Sequence, residues 1–208
     1  MKYRMIIFDF DGTLADSFPW LMSVANQVAD RYQFKRIEES EFETLRGYSA
    51  GSMLKHLGVP RWKVPMIGNH IRTLMAQEIS RICLFEGVDR LLRQLHTAGI
   101  TLAIVSSNSY GNVQHVLGPE NAALITYYEC GVSIFGKEAK FRNVLRKSGV
   151  PRSQTICIGD EIRDIEAARK EHIAFGAVSW GATAVEALRA YAPAEVFAGI
   201  DEIVEKVT

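Results

Sequence analysis

The segment MIIFDFDGTLADS, residues 5 to 17, constrains the fold more than any other part of the chain. Its apolar run has the length of a buried strand. Asp9 and Asp11 stand at the end of this run and are followed at once by Gly12 and Thr13. Two carboxylates so close together repel each other and are costly to desolvate unless a positive charge neutralises them. The segment therefore predicts a cation, or a chemistry that needs one, at the end of a first strand.

Three further short apolar runs alternate with helical patterns along the rest of the chain. These runs are ITLAIVSSNS, QTICIGDE and IAFGAVSWG. The helix expected before the first of them, GVDRLLRQLHTAG, carries Val88, Leu91 and Leu95 on one face. Such alternation is typical of a parallel sheet with helices on both faces. We therefore predict an α/β fold with a doubly wound, mainly parallel, Rossmann-like sheet.

One long segment interrupts this alternation, because residues 17 to 83 show only helical periodicity. Leu21 and Ala25, for example, recur at helical spacing. The segment predicts a small all-helical cap domain at 17–83, inserted after the first strand. The core domain would then consist of residues 1–16 and 84–208.

The residues that close the strands are the candidate site, because ligands of open parallel sheets bind beyond the carboxyl ends of the strands. Beyond Asp9 and Asp11, these residues are Ser106, Ser107 and Asn108 after the second strand, Asp160, Glu161 and Asp164 after a third, and Lys137 and Lys140 in the helix before it. Oxygen ligands of this kind suit Mg²⁺ better than zinc. We expect the four aspartates to gather around one divalent cation.

A phosphoryl group bound at such a cation would complete the site. Asp9 is the candidate nucleophile, because a carboxylate can attack phosphorus and form an acyl phosphate. Asp11, two positions further along an extended chain, would point to the same side, protonate the leaving oxygen and later take a proton from water. Ser106 and a lysine would hold the remaining phosphoryl oxygens.

Four segments, DFDGTLAD, VSSN, GKEAK and IGDEIRD, resemble in this order the motifs of the haloacid dehalogenase-like hydrolases. The resemblance covers most of the sheet domain, from residue 5 to about 170. The resemblance implies that Asp9 is the nucleophile and Asp11 the general acid and base. It implies a metal held by Asp9, Asp11 and Asp160 and supported by Asp164 and Glu161. The residues around the phosphate would be Gly12, Thr13, Ser106, Ser107 and Lys137. The helical insertion resembles the family's mobile cap.

The resemblance also narrows the reaction. True dehalogenases are similar but do not need the second aspartate of the first motif, so Asp11 favours phosphoryl chemistry. The length and the helical cap resemble the phosphoglycolate phosphatase branch, although mutases and phosphonate hydrolases share its motifs. We predict a Mg²⁺-dependent phosphatase that hydrolyses a small, phosphoglycolate-like metabolite through an aspartyl-phosphate intermediate.

Three assignments stay open from the sequence. Lys137 and Lys140 lie at helical spacing, and we favour Lys137 because the family motif usually has its lysine at this distance before the G-D strand. Ser106 and Ser107 both follow the strand and could also cap a helix, and we favour Ser106 as the hydroxyl that contacts the phosphate. Glu161 is either a metal ligand or a carboxylate favoured at a helix start.

The turn LRGYSAGS, residues 45 to 52, is the candidate for substrate recognition by the cap. A core site that binds only phosphoryl and metal leaves discrimination among substrates to the cap. Arg46, helped by Tyr48 and Ser49, could hold a carboxylate or sugar oxygens of the substrate. The alternative is a plain interhelical loop in which Arg46 ties the cap helices together through a salt bridge.

Composition restricts partners and location. The chain has 24 Lys and Arg and 24 Asp and Glu, and its pI is about 7.0, which disfavours nucleic acid as a partner. Three cysteines at no metal-ligand spacing indicate reduced thiols, and the N-terminal apolar run is too short for a signal peptide or a membrane span. We predict a cytoplasmic monomer or homodimer with no membrane partner.

Two rival functions share part of this chemistry. A signalling receiver domain also holds phosphoryl on an aspartate beside Mg²⁺, but its phospho-acceptor follows a central strand and it has no helical insertion of this size. A phosphomutase would return the phosphoryl group to a sugar, so detection of an isomerised sugar phosphate instead of free phosphate would identify it.

Overall fold

A computed structural model describes residues 2–131 and 136–208 of the chain. Its centre is a six-stranded sheet. The strands are β1 (Met5–Phe8), β4 (Thr101–Val105), β5 (Tyr127–Glu129), β6 (Thr155–Gly159), β7 (Ala174–Val178) and β8 (Glu195–Phe197). They lie in the order β5-β4-β1-β6-β7-β8, and every neighbouring pair is parallel. A separate antiparallel pair joins β2 (Ala15–Asp16) to β3 (Cys83–Leu84).

Strand β1 is apolar throughout because both of its faces are covered. Ile6 and Phe8 pack into the hydrophobic cluster on one side of the sheet, and Met5 and Ile7 pack into the cluster on the other. Consecutive side chains of a strand point to opposite faces, so a strand buried on both sides has no position for a polar residue. The first polar position comes where the strand ends, at Asp9.

Helices cover both faces of the sheet. One face carries α5 (Val88–Thr97), α6 (Tyr110–Ala122) and α10 (Asp201–Val207), and the other carries α7 (Lys137–Ser148), α8 (Ile162–Lys170) and α9 (Val185–Arg189). The predicted α/β class with a doubly wound parallel sheet is therefore confirmed. The predicted apolar face of α5 is buried, including Val88, Leu91 and Leu95.

The segment between β2 and β3 is helical. It contains α1 (Phe18–Tyr32), α2 (Phe42–Leu45), α3 (Ala50–His56), α4 (Val64–Gln77) and three short 3₁₀ turns at Glu39–Glu41, Arg61–Lys63 and Ile79–Arg81. We call these elements the cap helices, and the division into core and cap domains stays a prediction. Across the described ranges, no helix is both long and apolar enough to span a bilayer.

Candidate active site

Asp9 lies at the carboxyl end of the central strand and is almost completely buried, with 2% of its surface exposed. Its Oδ1 accepts a hydrogen bond from the backbone N–H of Phe10 at 2.7 Å. Its Oδ2 lies 2.9 Å from Nζ of Lys137. Burial opposes charge on Asp9, but the cations of Lys137 and Arg163 outweigh it and lower the pKa of the carboxyl. Asp9 is thus held as a carboxylate.

Lys137 is the lysine that reaches Asp9. It begins α7 directly after Gly136, and its Nζ also lies 2.5 Å from Oδ1 of Asp164. Burial would lower the pKa of Lys137, but the two carboxylates raise it above its usual range. Lys140 instead pairs with Glu129 at 3.0 Å, near the surface. The geometry therefore favours Lys137 over Lys140 as the lysine of the site.

Asp160 follows β6 and is fixed by two hydrogen bonds. The hydroxyl of Thr13 donates to its Oδ1 at 2.8 Å, and the backbone N–H of Ala182 donates to its Oδ2 at 2.8 Å. Two glycines make room for it, because a Cβ on Gly12 would lie 2.4 Å from Oδ2 and a Cβ on Gly181 would lie 2.1 Å from the Asp160 Cβ. Gly12 and Thr13, predicted around the phosphate, thus contact this carboxylate.

Three of these carboxylates are grouped closely enough to hold one cation. Oxygens of Asp9, Asp160 and Asp164 all lie within 4.8 Å of one another, and all three residues are buried. Among the described residues, Oδ2 of Asp164 has no hydrogen-bond partner. Burial, with the charges of Glu161 and Asp9, raises the pKa of Asp160 to about 7. A buried group of hard oxygen donors with this excess of negative charge fits Mg²⁺.

The side chain of Asp11 lies outside that group, which differs from the predicted ligand set. Both of its carboxylate oxygens accept hydrogen bonds from Nδ2 of Asn108, at 3.2 and 3.1 Å. The strand ends at Phe8, so the alternation that would align Asp11 with Asp9 does not continue that far. Burial and the neighbouring charge of Asp9 raise the pKa of Asp11 to about 6.

The two serines after β4 differ in their surroundings. Ser106 is fully buried, and its Oγ accepts a hydrogen bond from the N–H of Asn108 at 3.0 Å. The carbonyl of Ser107 accepts a hydrogen bond from Arg72 of α4 at 3.2 Å, and its hydroxyl lies 3.4 Å from Nη2 of Arg163. Because β4 pairs with β1, both serines lie at the same sheet edge as Asp9. Their roles toward a phosphate stay predictions.

The predicted cap residues have partners within the protein. Arg46 donates from Nε to the carbonyl of Ala182 at 3.1 Å and from Nη2 to that of Gly181 at 3.2 Å. The Oγ of Ser49 caps α3 by accepting from the N–H of Ser52 at 3.2 Å, and Tyr48 packs its ring edge against His56. Arg46 thus ties the cap to the core loop that also holds Asp160, and its role toward a substrate stays a prediction.

Three contributors were not assigned a role from the sequence. Asn108 orients Asp11 and accepts from Asn112 at 2.9 Å, and Arg163 pairs with Glu161, its Nε lying 2.5 Å from Oε2. Both residues lie inside the motifs already singled out, VSSN and IGDEIRD, so the signal was present. The loop containing Gly181 lies outside those motifs, and its signal is the position of Gly181 at the end of the predicted strand run IAFGAVSWG.

The model of one family, haloacid dehalogenase-like hydrolase, matches residues 6–178. The chain belongs to the haloacid dehalogenase-like hydrolases. A phosphoglycolate phosphatase from Synechococcus elongatus is 30% identical over 206 residues, which cover 99% of this chain and 97% of that protein. Another from Agrobacterium fabrum is 27% identical, over 87% of this chain and 82% of the relative. The predicted family and its phosphoglycolate phosphatase-like branch are confirmed.

Two solved structures with low sequence identity share the fold of this hydrolase. A haloacid dehalogenase-like family protein from Streptococcus pneumoniae superposes with a TM-score of 0.81 at 19% identity, covering 100% of this chain and 99% of its own. CbbY from Rhodobacter sphaeroides, in complex with phosphate, gives 0.75 at 18% identity, covering 97% and 96%. At these identities the likeness shows the fold alone. Membership of the family removes the receiver domain as a rival.

Proposed function

We propose that this hydrolase is a Mg²⁺-dependent phosphatase that releases phosphate from a small phosphorylated metabolite through an aspartyl-phosphate on Asp9. The chain is a phosphoric monoester hydrolase, and the prediction of that enzyme class is confirmed. The observation that carries the finer proposal is the buried group of Asp9, Asp160 and Asp164 beside Lys137. Phosphoglycolate is the first substrate to test, because the relatives are named for it.

Mg²⁺ would bind at this group of carboxylates. Asp9 and Asp160 would be its side-chain ligands, and Asp164 would support them. When bound, the ion would offset the negative charge that otherwise repels a phosphoryl group. Lys137 adds a fixed positive charge at 2.9 Å from Asp9 Oδ2. This charge offsets the negative charge of Asp9 and would stabilise the charge that develops on the phosphoryl oxygens.

Two half-reactions follow from the positions of Asp9 and Asp11. In the first, a carboxylate oxygen of Asp9 forms a bond to phosphorus, the ester bond to the leaving oxygen breaks, and protonated Asp11 gives its proton to that oxygen. In the second, Asp11 takes a proton from water while the water oxygen bonds to phosphorus. The bond from phosphorus to Asp9 then breaks, and inorganic phosphate leaves. Asn108 keeps Asp11 oriented for both proton transfers.

The test is release of inorganic phosphate from phosphoglycolate and from p-nitrophenyl phosphate, with Mg²⁺ and with a chelator. We expect turnover that disappears in chelator and returns with Mg²⁺, whereas Ca²⁺ supports little turnover. Asp9→Asn should lower turnover at least about 10³-fold, because an amide is a poor nucleophile. Asp30→Asn, which changes an aspartate exposed on α1, is the matched control and should retain turnover.

Two outcomes would contradict the proposal. Full activity in chelator would show that the reaction needs no metal ion. Near-normal hydrolysis by a folded Asp9→Asn protein would show that Asp9 is not the nucleophile. Formation of an isomerised sugar phosphate without net phosphate release would instead favour a phosphomutase.

A further inference from the structure

A cavity of about 410 Å³ lies between the cap helices, which is within the range of small-molecule sites, roughly 300–1,000 Å³. Its walls are mainly apolar side chains from α1, α3, α4 and the segments between them. Six examples are Phe18, Met22, Ile37, Met53, Leu54 and Ile67. All six are only partly buried, although Ile37, Met53, Leu54 and Ile67 also pack against the small apolar cluster of Leu57, Val59 and Val64. The cap interior thus presents unfilled apolar surface.

The cavity is continuous with the catalytic groups. Asp11, Asn108 and Arg163 also line it, so its polar end is the place where Asp11 would protonate a leaving oxygen. A phosphate ester with its phosphorus at Asp9 would therefore direct its leaving group past Asp11 into the apolar part. Continuity with the catalytic acid argues that the occupant is part of the substrate.

Two arginines of the cap helices line the cavity where it meets the core, and both donate hydrogen bonds to backbone carbonyls of the core. Arg46 donates to carbonyls of Gly181 and Ala182, and Arg72 donates to the carbonyl of Ser107. These bonds direct the guanidinium groups toward core backbone at the rim of the cavity. Binding of a glycolate-sized acid would leave most of the apolar wall exposed, whereas an aliphatic or aromatic group would cover it.

We propose that the cap cavity is a binding site for the apolar leaving group of a phosphate monoester, so that the preferred substrates are phosphates of aliphatic or aromatic alcohols. This inference rests on the proposed phosphatase activity and names its substrate class. Phosphoglycolate is then a poorer substrate than an ester whose alcohol carries a longer carbon chain.

The experiment compares methyl, butyl and hexyl phosphate. Burial of each added CH₂ should raise kcat/KM by up to about four-fold, because it removes apolar surface from water. Calorimetric binding of the same esters to the Asp9→Asn protein gives a readout independent of turnover. The Kd should fall along the series in parallel with the rise in kcat/KM.

Two variants that fill the cavity make the test specific. Ala25 and Gly68 line the cavity, and a Cβ on Gly68 would meet only Arg72 Nη1, at 3.5 Å. Ala25→Phe and Gly68→Leu should each lower kcat/KM for hexyl phosphate at least about ten-fold more than for methyl phosphate. Gln27→Phe, at an exposed position of α1, is the control and should keep the chain-length dependence.

The outcomes separate this inference from the proposed function. Phosphate release with no dependence on chain length, or equal losses for methyl and hexyl phosphate in both cavity variants, overturns the apolar site alone. Binding to the protein that tightens with chain length, without release of phosphate from any ester, supports the apolar site and overturns the phosphatase.

Discussion

Gly181 stands so close to Asp160 that the site has no room for a side chain at this position. A Cβ on Gly181 would lie 2.1 Å from the Cβ of Asp160 and 2.6 Å from its Oδ2. Carbon atoms in contact normally stay about 3.5–4.0 Å apart. In a Gly181→Ala protein, Asp160 or its loop must therefore move by roughly 1.5 Å, the difference between the required and the available distance.

A movement of this size should be visible in catalysis. Misplacement of a catalytic group by about 1 Å can lower a rate about 10²-fold, so we expect Gly181→Ala to lower kcat/KM at least 100-fold. The Mg²⁺ concentration for half-maximal activity should rise, because Asp160 is a proposed metal ligand. Overpacking should also lower the free energy of unfolding by about 1–3 kcal/mol, measured by denaturant titration.

Gly199→Ala is the matched control, because a Cβ there meets no atom within 4 Å. Neither glycine has a positive φ, so the backbone accepts alanine at both positions and only the contact with Asp160 differs. If the folded Gly181→Ala protein keeps kcat/KM and its Mg²⁺ requirement within about three-fold of the Gly199→Ala protein, the close contact with Asp160 does not matter for catalysis.

Two further predictions concern the lysines and the proton donor. Lys137→Met should lower turnover at least about 10²-fold and the free energy of unfolding by about 3–5 kcal/mol, because it leaves Asp9 and Asp164 buried without their cation. Lys140→Met, which breaks an ion pair with Glu129 near the surface, should leave turnover within about three-fold of the unchanged protein. Equal losses of turnover in the two variants, measured as phosphate release, would contradict the assignment of Lys137 as the lysine of the site. Asp11→Asn should slow hydrolysis of alkyl phosphates much more than that of p-nitrophenyl phosphate, because only the poor leaving group needs a proton. If the rate of hydrolysis falls equally for both esters, Asp11 is not the proton donor.

Local patterns in the amino-acid sequence were enough to predict the sheet and the strand ends that carry the chemistry. Strand β1 can be predicted from the sequence because burial on both faces leaves only apolar residues in it. The first polar residue marks the end of the strand. Parallel strands present their carboxyl ends at one edge, which is why Asp9, Ser106 and Asp160 could be grouped from their positions at the ends of predicted strands. These inferences need only local pattern and the direction of the strands.

Which side chains meet depends on how distant segments pack together in the folded chain. After β1 ends at Phe8, the direction of each side chain depends on the turn, and this turn places Asp11 against Asn108 while Asp164 joins Asp9 and Asp160. The sequence left two lysines open, because residues one helical turn apart differ only in what packs against them. The loop at Gly181 and the apolar cavity of the cap also depend on contacts between segments far apart in the chain, which no local pattern encodes.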